Sequence, residues 1–240
     1  MRCFALTLFL FASAVAFAQQ PVQKIGITHL TKNFYVCTSY GYPDGKNPYP
    51  ANSLFAVTSE GIILIDTPWG DEQTQQLLDA VRKRFNKKIV LCISTHFHDD
   101  RIGGVDMLKK TGIKTYSSKQ TYILAQKEGN NLPQYTFSKD TTFTVGGIAL
   151  QTYYPGAGHT SDNLVVWFPQ QKILFGGCLV KSTAATTKGN VVDADLQQWP
   201  VVTIKRLRAR FKKAEFIIPG HEDWQGGLKQ LDHTLQILSN

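Results

Sequence analysis

The 240-residue chain contains only four cysteines, and one of them, Cys3, lies in its first few residues. The other three, Cys37, Cys92 and Cys178, are an odd number, which does not fit a framework of disulfides. Cys37 and Cys92 lie in apolar, strand-like runs, where cysteine usually behaves as a small buried hydrophobe. A disulfide between these two is the less favoured alternative, and Cys178 needs a different explanation.

The chain also lacks a long apolar run after residue 18, so no later segment is predicted to cross a membrane. Residues 1–18 differ from the rest, because Arg2 is followed by about 15 uncharged residues that end in Ala16-Phe17-Ala18. This pattern predicts a secretory signal peptide over residues 1–18 and a mature protein in the bacterial periplasm. A membrane anchor is the alternative, but the run is shorter than the ~20 residues that span a bilayer.

Acidic residues are in the minority, with 18 Asp and Glu against 26 Lys and Arg and a net charge of +8. Without residues 1–18, which contain one arginine and no acid, the net charge is about +7. The basic residues are scattered over predicted helices without the interleaved aromatic residues of a nucleic-acid-binding face. We therefore expect no nucleic-acid partner, but a solvated basic surface that favours anionic substrates.

The chain shows no repeat and no low-complexity linker, and 42% of its residues are hydrophobic. One α/β domain over residues 19–240 is expected, with two small domains as the alternative and a monomer as the default. The predicted strands are residues 26–30, 33–38, 53–58, 61–65, 88–94, 114–116, 141–145, 148–153, 163–168, 172–175 and 215–218. The predicted helices are residues 71–86, 102–110, 119–127, 200–211 and 226–238, and residues 39–52 are predicted to be a loop. Strands precede helices in each half, which suggests two packed sheets with helices outside both.

A cluster of metal-binding residue types follows the predicted strand at residues 88–94. There, His96, His98 and Asp100 occupy alternate positions of Thr95-His96-Phe97-His98-Asp99-Asp100. Two imidazoles and a carboxylate at the exit of a strand are typical of metal ligands in a loop at a sheet edge.

Three further candidates, His159, Cys178 and His221, each follow a glycine at the end of a different predicted strand. Glycine lets the backbone turn sharply and approach a metal closely. The three histidines His96, His98 and His159 would leave a tetrahedral zinc ion with one open position for water. Asp100, Cys178 and His221 would form a second site, where the soft thiolate favours zinc over magnesium or calcium. Two zinc ions per chain are therefore expected.

The arrangement His96-x-His98-x-Asp100 with His159 and His221 resembles the metallo-β-lactamase superfamily. The resemblance extends from about residue 25 to the C-terminus. Three further motifs are most similar to the true lactamases of subclass B1: Ile65-Asp66-Thr67-Pro68-Trp69, Arg101-Ile102-Gly103-Gly104 and Gly176-Gly177-Cys178-Leu179-Val180-Lys181-Ser182. Other enzymes of the superfamily usually carry a histidine where Arg101 stands and an aspartate where Cys178 stands.

This resemblance implies an αββα sandwich with a dinuclear zinc site along one edge of its sheets. It also implies a hydrolase that opens the β-lactam amide of penicillins, cephalosporins and carbapenems with a zinc-bound hydroxide, and so confers antibiotic resistance. Asp100 would bind the second zinc ion and orient the hydroxide, and Lys181 would bind the substrate carboxylate. Asn190 would contact the substrate and polarise the lactam carbonyl. Without the resemblance, Lys181 would be interpreted as an ordinary solvated loop lysine, and Asn190 as part of a Gly-Asn turn.

The resemblance further implies that Asp66 supports the site through hydrogen bonds, and that residues 39–52 form a flap over the substrate. Its tyrosines, Tyr40, Tyr42 and Tyr49, would cover the substrate or, as the alternative, pack against the base of the loop itself. The chain departs from the family after His221, where Glu222 and Asp223 replace the small residue that is common in relatives.

Two rival functions stay open. Another zinc hydrolase of the superfamily, such as a lactonase or a thioester hydrolase, is disfavoured by Cys178 together with Lys181. A zinc-binding protein without turnover would be excluded by any zinc-dependent hydrolysis.

Overall fold

A computed structural model describes residues 22–138 and 140–239. The predicted signal peptide at residues 1–18 lies outside the described residues. Within the described part of the chain, none of the helices has the length and apolar character needed to cross a membrane.

The N-terminal half forms a seven-stranded sheet in which the strands lie in chain order. Its strands are β1 (Gly26–Thr31), β2 (Phe34–Gly41), β3 (Tyr49–Val57), β4 (Ile62–Ile65), β5 (Ile89–Ser94), β6 (Lys114–Ser118) and β7 (Tyr135–Phe137). The first four strands pair antiparallel, and β4 to β7 pair parallel. The parallel connections contain helices, as crossovers of this kind require.

The C-terminal half forms a five-stranded sheet in the order β12-β11-β10-β9-β8. Its strands are β8 (Thr142–Val145), β9 (Ile148–Tyr153), β10 (Val165–Phe168), β11 (Ile173–Gly177) and β12 (Phe216–Pro219). Strands β8 to β11 pair antiparallel, whereas β11 and β12 are parallel. The described helices are α1 (Gly70–Phe85), α2 (Asp99–Ile102), α3 (Val105–Lys110), α4 (Lys119–Glu128), α5 (Lys205–Arg210) and α6 (Lys229–Ser239), and a π-helical turn, Trp199–Ile204, leads into α5.

The two sheets pack face to face around one apolar core. Because side chains alternate across a strand, Ile63 and Ile65 of β4 face this core, while Ile62 and Leu64 face outward. The outward face packs on α1 and α3, and the outer face of the second sheet packs on the π-helical turn, α5 and α6. This confirms the predicted αββα sandwich. Cys37 and Cys92 are buried and free, as the favoured prediction required.

Three local predictions were wrong. Residues 39–52 are not one loop, because β2 and β3 extend into this range and pair from Phe34 with Ala56 to Gly41 with Tyr49. The predicted helix at residues 102–110 is interrupted at Gly103 and Gly104, and the three-residue strand β7 was missed. In each case long-range pairing or packing overrode the local composition.

The strand order brings one end of each sheet to a common edge. There, Leu164 N donates to Thr95 O at 3.0 Å, and Asn52 N donates to Gly220 O at 2.8 Å, so backbone hydrogen bonds join segments of the two halves. The carboxyl ends of β4, β5, β11 and β12 are followed by Asp66, Thr95, Cys178 and Gly220. Sequence-predicted site residues that are far apart in the chain therefore lie along a single edge.

Candidate metal centre and substrate cleft

The three histidines predicted as a metal site meet at this edge. The ring centroids of His96, His98 and His159 lie 4.9 to 5.0 Å from one another, and His98 Nδ1 is 3.1 Å from His159 Nε2. Each ring offers a nitrogen within 4.8 Å of the other two. Two nitrogens on a tetrahedral zinc ion at ~2.0 Å are about 3.3 Å apart, so the His98–His159 separation suits shared coordination.

The electrostatics of this set also suit a metal ion. Burial lowers the pKa of both His96 and His159 well below the usual value, so the imidazoles are neutral and can act as ligands. Among residues 22–138 and 140–239, His96 Nε2 is buried without a hydrogen-bond partner. A buried polar atom without a partner is unfavourable unless a ligand satisfies it. The three histidines therefore fit a metal ion.

The second predicted set is equally close. Cys178 Sγ lies 3.1 Å from His221 Nε2 and 3.5 Å from Asp100 Oδ2, and these nitrogen and oxygen atoms are 3.3 Å apart. His96, Asp100 and Cys178 also offer ligand atoms within 4.8 Å of one another, so the two sets adjoin. Burial raises the pKa of the Cys178 thiol although the charge of Arg101 opposes this, so a metal ion would have to displace its proton.

Two of the glycines before the candidate ligands, Gly177 and Gly220, have the geometric role that their positions suggested. A Cβ on Gly220 would lie 2.6 to 2.8 Å from the backbone nitrogen, Sγ and Cα of Cys178. Gly177, immediately before Cys178, has a φ of +54°, a conformation that side chains disfavour. Only glycine lets these two segments approach so closely.

Hydrogen bonds on the far side of the ring orient two of the histidines, His221 and His98. His221 Nδ1 donates to Pro50 O at 2.7 Å, which leaves Nε2 with a free lone pair toward Cys178 and Asp100. His98 Nε2 is 2.9 Å from Asp193 Oδ2, which directs Nδ1 toward His159. Such contacts fix the tautomer of a metal-binding histidine. The sequence did not predict the role of Asp193, because no motif surrounds it.

Arg101 is a fully buried cation beneath the second set. Its Nη2 lies 2.7 Å from Asp100 Oδ2 and donates to Gly220 O, while its Nη1 donates to Asn52 O and lies 3.5 Å from Asp66 Oδ2. Burial raises the pKa of Asp100, but the neighbouring Arg101 charge outweighs burial and holds that pKa well below its usual value. Asp100 is therefore charged, and Arg101 fixes the orientation of its carboxylate.

Asp66 supports the strand end that carries the histidines. It accepts hydrogen bonds from Thr95 N at 2.7 Å and Thr95 Oγ1 at 2.8 Å. Burial raises the pKa of Asp66 to about 7, although Arg101 and Thr95 favour the charged form. The supporting role expected for this residue agrees with these contacts.

A cleft of about 480 Å³ opens over both sets of ligands. It is lined by Pro43, Tyr49, Trp69, His98, Asp99, Asp100, Asn130, His159, Lys181, Thr187, Gly189, Asn190 and His221. Both residues predicted to contact the substrate, Lys181 and Asn190, are in this lining. The ammonium of Lys181 is 5.1 Å from the Trp199 ring, and Asn190 is exposed with its Oδ1 accepting from Val192 N.

Of the three tyrosines expected to cover the substrate, only Tyr49 lines the cleft, with its ring 4.8 Å from that of His221. Tyr40 belongs to β2 and pairs through its backbone with Gln73, and the Tyr42 hydroxyl accepts from Gln23. Asp99 also lines the cleft, but within the described part of the chain no cluster of possible metal ligands includes it.

Comparison with known proteins identifies relatives of the whole fold. A family model described as the metallo-beta-lactamase superfamily matches residues 47–221. A metallo-beta-lactamase type 2 of Elizabethkingia meningoseptica is 38% identical over 98% of this chain and 93% of its own length. One of Bacillus cereus is 42% identical over 89% of this chain and 82% of its own. A solved metallo-beta-lactamase of Pontibacter korlensis superposes with a TM-score of 0.87 at 42% identity, covering 90% of this chain and 100% of that one.

Proposed function

The chain belongs to the metallo-β-lactamase superfamily, and from this we propose that it is a zinc-dependent hydrolase that opens the amide bond of β-lactam rings. The main support is the convergence of six ligand side chains, His96, His98, His159, Asp100, Cys178 and His221, beneath a cleft that also contains Lys181. Penicillins, cephalosporins and carbapenems are the proposed substrates, and resistance to them the proposed consequence.

Two zinc ions per chain are proposed. His96, His98 and His159 would hold one, and Asp100, Cys178 and His221 the other. When bound, zinc supplies Lewis acidity and makes water a nucleophile at neutral pH. The imidazole, carboxylate and thiolate donors suit zinc, and the thiolate argues against magnesium or calcium.

The side chains of the cleft orient the substrate in this proposal. Lys181 attracts the carboxylate that β-lactams carry beside the reacting amide, and its shielding from solvent strengthens that attraction. Asn190, at the open side, donates its amide to the lactam carbonyl as negative charge develops on the oxygen. Asp100 contributes to catalysis through its fixed position, since Arg101 holds its carboxylate.

We also propose that residues 1–18 are removed on export, leaving residues 19–240 as a single monomeric domain in the periplasm. The charged start, the apolar run and Ala16-Phe17-Ala18 support cleavage. The intact mass of the exported protein would identify the cleavage position, and sedimentation would give the oligomeric state.

The proposed function is tested by hydrolysis of a carbapenem, followed by absorbance, with purified zinc-loaded protein. We expect turnover that a chelator abolishes and added zinc restores. The variant Cys178→Ser should show weaker binding of the second zinc ion and slower turnover with the fold retained, as measured by zinc titration and circular dichroism. If the protein binds two zinc ions but does not hydrolyse β-lactams, a lactonase or thioester hydrolase is favoured. If it hydrolyses neither β-lactams, lactones nor thioesters, a binding protein is favoured.

A further inference from the structure

Glu222, directly after the ligand His221, occupies an unusual backbone conformation. Its φ is +60°, in the left-handed region that residues other than glycine seldom adopt. Its carbonyl accepts a hydrogen bond from Asn52 Nδ2 at 2.9 Å, which ties this turn to β3. A large acidic side chain is thus held at a position where a small residue would be less strained.

Glu222 lines a recess of about 80 Å³ that adjoins the substrate cleft. Tyr49, Lys181, Gly189 and His221 line both the recess and the cleft, so the two spaces adjoin at Lys181. Its volume corresponds to two or three waters at ~30 Å³ each. A chemical group of two or three heavy atoms can therefore enter it.

The negative charge of Glu222 acts on its neighbours in this recess. Burial lowers the pKa of Lys181 and raises the pKa of Tyr49 to about 12. In both residues the negative charge of Glu222 raises the pKa. Within the described ranges, no ion pair involves Glu222 or Lys181. The recess therefore offers a carboxylate that is not already paired, next to the ammonium that is expected to bind substrate.

We propose that Glu222 makes this recess a cation subsite, and that the enzyme favours β-lactams with a small ammonium substituent on the ring that bears the carboxylate. This inference rests on the proposed function, in which Lys181 binds that carboxylate. A substituent on the same ring lies a few bonds from that carboxylate and can extend into the recess. The substrate would then present its negative and positive groups to Lys181 and Glu222, respectively.

The test uses two cephalosporins that differ only at this substituent, one ending in a methylammonium group and the other in a neutral group of equal size. Two unit charges ~5 Å apart in a water-like medium attract enough for an about fourfold effect. We expect wild-type kcat/KM to favour the cationic compound by about that factor, mainly through KM. High salt should reduce the preference because it screens exposed charges.

Three variants separate charge from backbone effects. Glu222→Gln and Glu222→Gly should both abolish the preference, and the glycine variant also relieves the left-handed strain, so loss of folding cannot explain the result. Asp223→Asn is the matched control, because Asp223 is exposed and does not line the recess. This control should keep the preference.

The inference is overturned if the wild-type enzyme hydrolyses both compounds equally well. It is also overturned if Glu222→Gln still prefers the cationic compound. The same holds if Asp223→Asn abolishes the preference as completely as the Glu222 variants do. Turnover of neither compound by zinc-loaded wild type would overturn the proposed function as well, and is distinguishable because no hydrolysis is then observed at all.

Discussion

Replacing Arg101 with methionine should destabilise the metal-free protein strongly. The substitution leaves the buried carboxylates of Asp100 and Asp66 without a countercharge, and it removes one donor from each of the carbonyls of Asn52 and Gly220. Removing one partner of a buried ion pair typically costs about 3–5 kcal/mol. We expect the free energy of unfolding to fall by an amount within this range, because protonation of one carboxylate limits the cost.

The assay is urea unfolding of chelator-treated protein, followed by the fluorescence of its four tryptophans. An unchanged slope with a lower midpoint would assign the effect to stability. The melting temperature should fall by roughly 6 to 20 °C, given about 2–4 °C per kcal/mol for a chain of this size. Arg82→Met, at an exposed position of α1, is the matched control and should change stability by less than about 0.5 kcal/mol.

A second substitution tests the electrostatic cause. Asp66→Asn removes one of the carboxylates that Arg101 neutralises, so the double variant should be more stable than the sum of the two single effects predicts, by about 1 kcal/mol or more. The reasoning is refuted if Arg101→Met unfolds within about 1 kcal/mol of wild type, or if the two effects add.

Further predictions concern the metal and the substrate. Chelation should lower the melting temperature by about 5–11 °C relative to protein with free zinc at 100 times its Kd, since such binding adds about 2.7 kcal/mol; equal values would exclude a native zinc site. Asp193→Ala should weaken zinc binding about 10- to 100-fold in competition with a chromophoric chelator, because His98 loses the contact that orients it. Gly220→Ala should lose the second zinc ion by elemental analysis, because its Cβ would collide with Cys178; retention of two ions would contradict that contact. Lys181→Ala should raise KM more than it lowers kcat in steady-state hydrolysis, and an unchanged KM would remove Lys181 from substrate binding.

The candidate ligands could be identified from the sequence because their pattern is local. Each of His96, Cys178 and His221 lies within two residues of the end of an apolar strand, and strand ends meet at a sheet edge. The sandwich followed from the order of strands and helices together with the family resemblance. These signals do not depend on knowing which segments touch.

The supporting contacts could not be predicted because they join distant segments. Arg101 reaches Asn52 and Gly220, and Asp193 is 95 positions from His98. No local pattern records such pairings. The break in the predicted helix at residues 102–110 has a similar origin, since a Cβ on Gly104 would lie 1.9 Å from Thr74 Oγ1 of α1. The predicted loop at residues 39–52 was wrong because pairing between β2 and β3 overrode its Gly, Pro and Asn content.

The most direct test of the two-ion site is a crystal structure of the zinc-loaded protein with anomalous data collected at the zinc absorption edge. Our account predicts two adjacent anomalous peaks, one bounded by His96, His98 and His159 and the other by Asp100, Cys178 and His221. A single peak at saturating zinc, or a peak outside these six side chains, would contradict it.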